Sequence, residues 1–291
     1  MKKFLSILHN ENMKYKKLLF IEIYKVKHHK LSKILLLGYF LLLSMIALLA
    51  SIKFKLGNME IHLAEQGIFN FPFIWHFNTY IADVFTFFLA IIIVSTLTNE
   101  YSYRTIKQNL IDGMSKKEFL LSKVLFIILL SLIATLFVLI ISFVLGLLYS
   151  DYTSSGMIFS DLYFFISFFL KLLGTYMFIL FLGLHFKRSA FALGFFLIWL
   201  VIEFIIYGLI RWKYFNKETA DFIAGLLPVG AYSTLIPEPF TRLNIAKQLS
   251  KQIGEEIEVF EGIAFYHFIV AISWIFIFYY LSLYLLKKRD L

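Results

Sequence analysis

The sequence predicts an all-α, polytopic membrane protein with six transmembrane helices, an N-terminal amphipathic elbow helix and both termini cytoplasmic. Three observations carry this prediction. Of the 291 residues, 60% are apolar and only 16% are charged, against about 45–50% apolar on a similar count in soluble domains. The apolar residues gather in stretches of about 20 or more, the length needed to cross a hydrocarbon core of about 30 Å. Lys and Arg are distributed unevenly between the two ends of those stretches. Disorder is excluded by the hydrophobicity. The net charge of +9 alone would suggest nucleic acid, but its distribution fits membrane orientation, and no nucleic-acid partner is expected.

Taken in order, residues 1–31 form a cytoplasmic segment. Leu19, Ile23 and Val26 recur there at helical spacing, with Lys16, Lys17, Lys27 and Lys30 mostly off that stripe. This pattern reads as a basic amphipathic helix on the inner leaflet. The long polar lead is unlike a cleavable signal peptide. Spans follow at about 33–53, 71–98, 123–149, 162–185, 189–210 and 263–286, in one membrane domain covering 1–291. Residues 99–122 form a cytoplasmic loop, and 211–262 an outer loop. Within the latter, Phe222–Ile236 is apolar but too short to cross and contains Pro228. It reads as a re-entrant or interfacial helix. Ser142 with Gly146, and Ala190 with Gly194, suggest close helix packing. Nineteen Lys and Arg fall on the side of the termini and eight on the opposite side, where Glu255, Glu256, Glu258 and Glu261 cluster. The basic side is therefore the cytoplasmic one.

The chain carries no engine of its own. It has no Cys and no Gly-Lys dipeptide, so thiol chemistry and a P-loop are excluded. Its seven His are scattered and read as solvated or interfacial, without metal-ligand spacing. The inner-face acids Glu11, Glu22, Glu100, Asp112, Glu118 and Asp290 show no such spacing either. No catalytic residue, metal or bound cofactor is expected. A membrane-embedded lipid-modifying enzyme and a non-transporting scaffold or sensor stand as alternatives to a transporter.

The 99–122 loop is the most informative stretch. Ile106, Leu110 and Ile111 read as one face of a short helix. Asp112-Gly113 is a stop signal, because Gly tolerates the left-handed backbone at a helix end. Ser115 is a good N-cap, and Glu118 three residues later completes a capping box. The loop is thus an exposed elbow, either a well-capped re-entry into the next span or a docking surface.

Glu100, Arg104-Thr105, the apolar helix, Gly113-x-Ser115-Lys116 and Lys123 together resemble the permease subunit of ABC-2 type transporters, in a form similar to a Bacteroidetes-like branch. Arg104 departs from the commoner Gly at its position. The resemblance implies an ATP-driven permease, most simply an exporter in a bacterial inner membrane. It implies a separate ATPase subunit that holds ATP and Mg, and a second permease copy or paralogue. It also implies an ATPase-coupling loop made of Glu100, Arg104, Thr105, Ile106, Leu110, Asp112, Gly113, Ser115, Lys116, Lys117 and Glu118.

Three ionisable residues fall inside spans: Asp83, Lys171 and Glu203. Such residues are functional-site candidates by default. Lys171 and Glu203 stand about 23 Å above the same turn, at 1.5 Å per residue. A pair between Lys171 and Glu203 is expected, because an unpaired charge there costs several kcal/mol.

Overall fold

The computed structural model describes residues 2–50, 53–56, 59–62, 67–151, 154–214, 217–242 and 262–288. The Glu255–Glu261 acidic cluster lies outside them. The apolar stretches form helices, as expected where no water is available for backbone groups. The order is α1 (Lys2–His28), α2 (Lys30–Ala50), α3 (Phe73–Val84), α4 (Thr86–Ser102), α5 (Thr105–Ile111), α6 (Lys116–Tyr149), α7 (Ser155–Phe159), α8 (Tyr163–Phe186), α9 (Ser189–Leu209), α10 (Lys217–Leu226), α11 (Pro228–Ser233) and α12 (Phe265–Lys288). A π turn, Ile210–Tyr214, extends α9.

Among the described residues, four stretches are long and apolar enough to cross a membrane: Lys116–Tyr149, Ser155–Phe186, Ser189–Trp212 and Phe265–Lys288. The α3–α4 pair makes a fifth, bent by 45° at Phe85. The chain is therefore a multi-pass membrane protein. The 21-residue α2 occupies the remaining apolar stretch. One addition to the all-α reading is a small antiparallel hairpin, β1 (Lys53–Leu56) and β2 (Met59–His62), with Lys53 opposite His62 and Leu56 opposite Met59.

α8 is the axis of the bundle. It is the most enclosed crossing helix, and it packs on α3, α4, α6, α9, α11 and α12. In lipid, helix association rests on close packing rather than on the hydrophobic effect, and small residues on α8 allow it. A Cβ added at Gly174 would stand 2.0 Å from the Tyr232 ring, and one at Gly183 would stand 2.8 Å from Leu97. The two expected small-residue pairs behave differently. Ser142 accepts a hydrogen bond from Asn78 Nδ2 (2.9 Å), and Gly146 receives the Phe71 ring. Gly194 faces open space.

The bend between α3 and α4 frees carbonyl groups that side chains then satisfy. Thr86 Oγ1 donates to the Asp83 carbonyl (2.6 Å), and the Tyr176 hydroxyl donates to the Thr86 carbonyl (3.2 Å). Between α9 and α12, α10 and α11 fold against each other, and at 10 and 6 residues neither is long enough to cross. The α11 start is tight: a Cβ on Gly230 would meet the Ala224 carbonyl at 1.9 Å.

The elbow stripe differs from the sequence expectation at two of its three positions, each moved back by one residue. The inward face of α1 is Leu18, Glu22 and Val26, while Ile23 is 39% exposed. A period-3.6 search selects apolar residues, and it passes over Glu22 because that side chain is charged. His76, read with the other His as solvated or interfacial, is enclosed by protein instead. It is buried, stacked on Phe164 with centroids 4.1 Å apart, and its Nε2 bonds to the Pro237 carbonyl (2.8 Å).

Candidate functional site

The 99–122 loop is built by local rules. Arg104 begins α5 with φ of 56°, a left-handed backbone that costs an L-residue with a Cβ roughly 1–2 kcal/mol and Gly almost nothing. This is a physical reason for the commoner Gly. α5 then ends in a Schellman motif: Gly113 N–H donates to Leu110 O (3.2 Å), Met114 N–H donates to Asn109 O (2.9 Å), and Gly113 has φ of 96°. The next helix opens with the full capping box. Glu118 N–H donates to Ser115 Oγ (3.2 Å), and Ser115 N–H donates to Glu118 Oε2 (2.7 Å). Lys14 on α1 pairs with the other Glu118 oxygen. Hydrogen bonds from Lys14 and Ser115 hold the Glu118 carboxyl down at about 2.

The two faces of α5 differ sharply. Ile106 is buried and Leu110 half-buried, but Ile111 is 81% exposed. Ile111 therefore does not share their face. Five residues at 100° each place it about 140° from Ile106. Tyr103 (77% exposed) joins Ile111 on the outside, with Arg104, Thr105, Lys107, Asp112, Gly113 and Lys117 also exposed. Lys116 reaches the Lys287 carbonyl at the end of α12 (3.5 Å).

Beneath this surface lies a buried ion cluster. Lys123 Nζ on α6 donates to Glu22 Oε2 on α1 (2.7 Å) and to Glu100 Oε1 on α4. Lys25 Nζ bonds to Glu22 Oε1 and Glu100 Oε1, both at 2.8 Å. The Lys123, Glu22 and Glu100 side chains are 3%, 1% and 5% exposed. Burial pushes the Glu22 carboxyl up, and the Lys123 and Lys25 ammonium groups outweigh it, so the carboxyl titrates below its ordinary range. The cluster joins α1, α4 and α6 directly under α5, and Thr105 Oγ1 donates to the Glu100 carbonyl (3.4 Å). Sequence reasoning picked Glu100 and Lys123 but missed Glu22, Lys25 and Lys14. The available signal was an acidic residue set four residues from Leu18 and from Val26 on one helical face.

The intramembrane charges are arranged differently from the expected pair. Lys171 Nζ pairs with Asp83 Oδ2 (2.8 Å), not with Glu203. Spacing along the helices sets depth but not azimuth, and Lys171 faces the α3–α4 bend. The pair borders a cavity of about 290 Å³, lined also by Thr175, Tyr176, Leu200 and Tyr232. Glu203 points to the start of α11. It accepts from Val229 N–H (3.0 Å), Gly230 N–H (2.8 Å) and Trp199 Nε1 (2.6 Å). The two backbone donors are unsatisfied amides of the α11 N-terminus, and a carboxylate there is favoured by both hydrogen bonding and the helix dipole. Glu203 thus fixes α11, whose Val229, Tyr232 and Ser233 border the cavity.

Near the start of α3, Arg242 donates to His76 Nδ1 (3.2 Å) and approaches Asp161 (3.5 Å). Arg can only donate, so His76 is held as the neutral tautomer with its proton on Nε2.

The structure thus gathers two sites on one bundle: a capped, exposed loop over a buried ion cluster, and a small, mainly apolar cavity that holds the Asp83–Lys171 pair and is bordered by a short inserted helix. No curated protein matches the chain. The family model of the ABC-2 family transporter proteins matches residues 30–291, from the first residue of α2 to the last of the chain, and the protein belongs to that family.

Proposed function

We propose that the chain is the transmembrane permease subunit of an ABC exporter, with no catalytic residue of its own. A separate ATPase subunit supplies ATP hydrolysis, and a second permease copy or paralogue completes the path. In this reading α2, the bent α3–α4, α6, α8, α9 and α12 cross a bacterial inner membrane six times, with both termini inside. The observation that carries the reading is the loop at α5. Its outer face offers Tyr103 and Ile111 to a partner, while its inner face rests on the Glu22–Lys123–Glu100 cluster. A rigid, exposed element anchored on three helices is suited to receive a mechanical stroke. A flexible tether is not. The Asp83–Lys171 cavity lies where a moving helix pair can open it, and α11 is its outer cover.

The test is co-expression with a candidate P-loop ATPase subunit of the ABC type, followed by purification and assay of ATP hydrolysis. Replacing both Tyr103 and Ile111 by Asp is expected to abolish co-purification while the permease remains monodisperse. If the double variant holds the ATPase at the parent ratio, α5 is not the contact.

A further inference from the structure

Between the elbow and the bundle lies a second cavity of about 510 Å³, walled by α1, α2, α4 and α6. Its walls are apolar, with Val26, Leu36, Phe40, Phe126 and Leu130 among them, and its border holds Lys27 and Lys33 but no acidic residue. Both lysines are exposed, and neither has a partner among the described residues. The neighbouring Glu22 is turned inward and already neutralised by Lys25 and Lys123. Phe20 and Tyr24, both exposed, lie on the same elbow helix, as aromatic side chains do at headgroup level.

We infer that this crevice holds one acyl chain of an anionic phospholipid, with its phosphate between Lys27 and Lys33. The walls match a hydrocarbon chain, which needs no hydrogen-bond partner. Basic pockets between helices at the cytoplasmic side attract anionic headgroups, and the volume is within the range of ligand sites. Lys27 and Lys33 border the crevice and are exposed, so their stems can pack on its apolar walls while their ammonium groups reach headgroup depth. A second copy of the chain would face two uncompensated lysines here, so charge favours the lipid. The assignment of the inner leaflet rests on the orientation proposed above. The headgroup preference does not.

The test uses the full-length protein, purified in detergent and incubated with equal amounts of palmitoyl-oleoyl phosphatidylglycerol and phosphatidylcholine, then weighed by native mass spectrometry. The parent is expected to retain one phosphatidylglycerol with roughly 30-fold preference, from two lysines at about 1 kcal/mol each. Lys27→Gln with Lys33→Gln is expected to bring the preference to parity and still retain a lipid. Both lysines are exposed, so folding is not at stake. Ile133→Trp, at the mouth, is expected to reduce occupancy by either lipid. Equal retention by the parent, or an unchanged preference in the lysine variant, overturns the inference. So does displacement by millimolar inorganic phosphate, which marks a free-anion site. A change in oligomer mass rather than lipid content in Ile133→Trp assigns the crevice to a second copy and also overturns it.

Discussion

Lys123→Met removes the more buried of the two cations that both buried carboxylates share. Before the change, two carboxylates face two ammonium groups and the cluster is neutral. Afterwards Glu22 and Glu100 share Lys25 alone, whose side chain is 29% exposed, and one buried negative charge is uncompensated. At the 2.7 Å of the Lys123–Glu22 contact, an effective dielectric of about 20 gives an attraction of about 6 kcal/mol. Desolvation offsets much of this, and breaking a buried pair by removing one partner costs about 3–5 kcal/mol net. The assay is equilibrium unfolding in mixed micelles with increasing SDS, followed by the fluorescence of the four native Trp. Lys123→Met is expected to lose about 3–5 kcal/mol. Adding Glu22→Gln removes one negative charge as well and leaves Glu100 with Lys25. The double variant is therefore expected to be no less stable than Lys123→Met alone, so the two changes are strongly non-additive. A Lys123→Met variant within about 0.5 kcal/mol of the parent, or costs that simply add, would refute the cluster as one unit.

Three further predictions concern local geometry. Arg104→Gly relieves the left-handed backbone at φ 56° but adds unfolded-state entropy, so stability is expected to change by no more than about 1 kcal/mol in favour of Gly; Arg104→Val is expected to lose more than about 1 kcal/mol in the same assay. Gly174→Ala puts a Cβ 2.0 Å from the Tyr232 ring and is expected to cost about 1–3 kcal/mol, whereas Gly194→Ala, facing open space, should be neutral within about 0.5 kcal/mol. The Glu118 carboxyl is lowered from 4.5 to about 2, so its contribution is complete above about pH 4.5 and disappears as pH falls through about 2. Because the group is near the surface, that contribution is only about 0.2–1 kcal/mol; hydrogen exchange of the 116–119 amides should show it as a difference from Glu118→Gln at neutral pH that vanishes near pH 2.

The helices and the loop caps were legible in the sequence because they depend on neighbours in the chain. Length and apolarity select the helices, and Gly113, Ser115 and Glu118 act within four residues of the bonds they make. What was not legible depends on azimuth and on distant partners. Lys171 and Glu203 share a depth, yet Lys171 turns to Asp83 and Glu203 to the amides of α11. Glu22 meets Lys123 across 101 positions, and hydropathy alone assigns such a carboxylate to the surface. His76 was read with the other scattered His as solvated or interfacial, although Phe164, Pro237 and Arg242 enclose it. The β1–β2 hairpin did carry a signal, a Gly57-Asn58 dipeptide between two short segments of strand-compatible residues. The dominant helical pattern obscured it.

The two sites share one helix, and that constrains how the proposed stroke can travel. α4 carries Glu100 near its C-terminal end and begins at Thr86, next to the bend that positions Asp83. Its 17 residues span about 25 Å. Leu89, Ile92, Ile93 and Leu97 are buried along it, and close packing on α2 and α8 resists local deformation. A displacement delivered at Glu100 and Lys123 is therefore not absorbed within α4. The compliant point is Phe85, where the ladder is interrupted and side-chain hydroxyls hold the carbonyls of Asp83 and Thr86. Those two hydrogen bonds can exchange for others at small cost, whereas the helix ladder cannot. A stiff α4 ending in a soft bend beside the Asp83–Lys171 pair is the combination that a push from the loop requires to alter the cavity without unfolding the bundle.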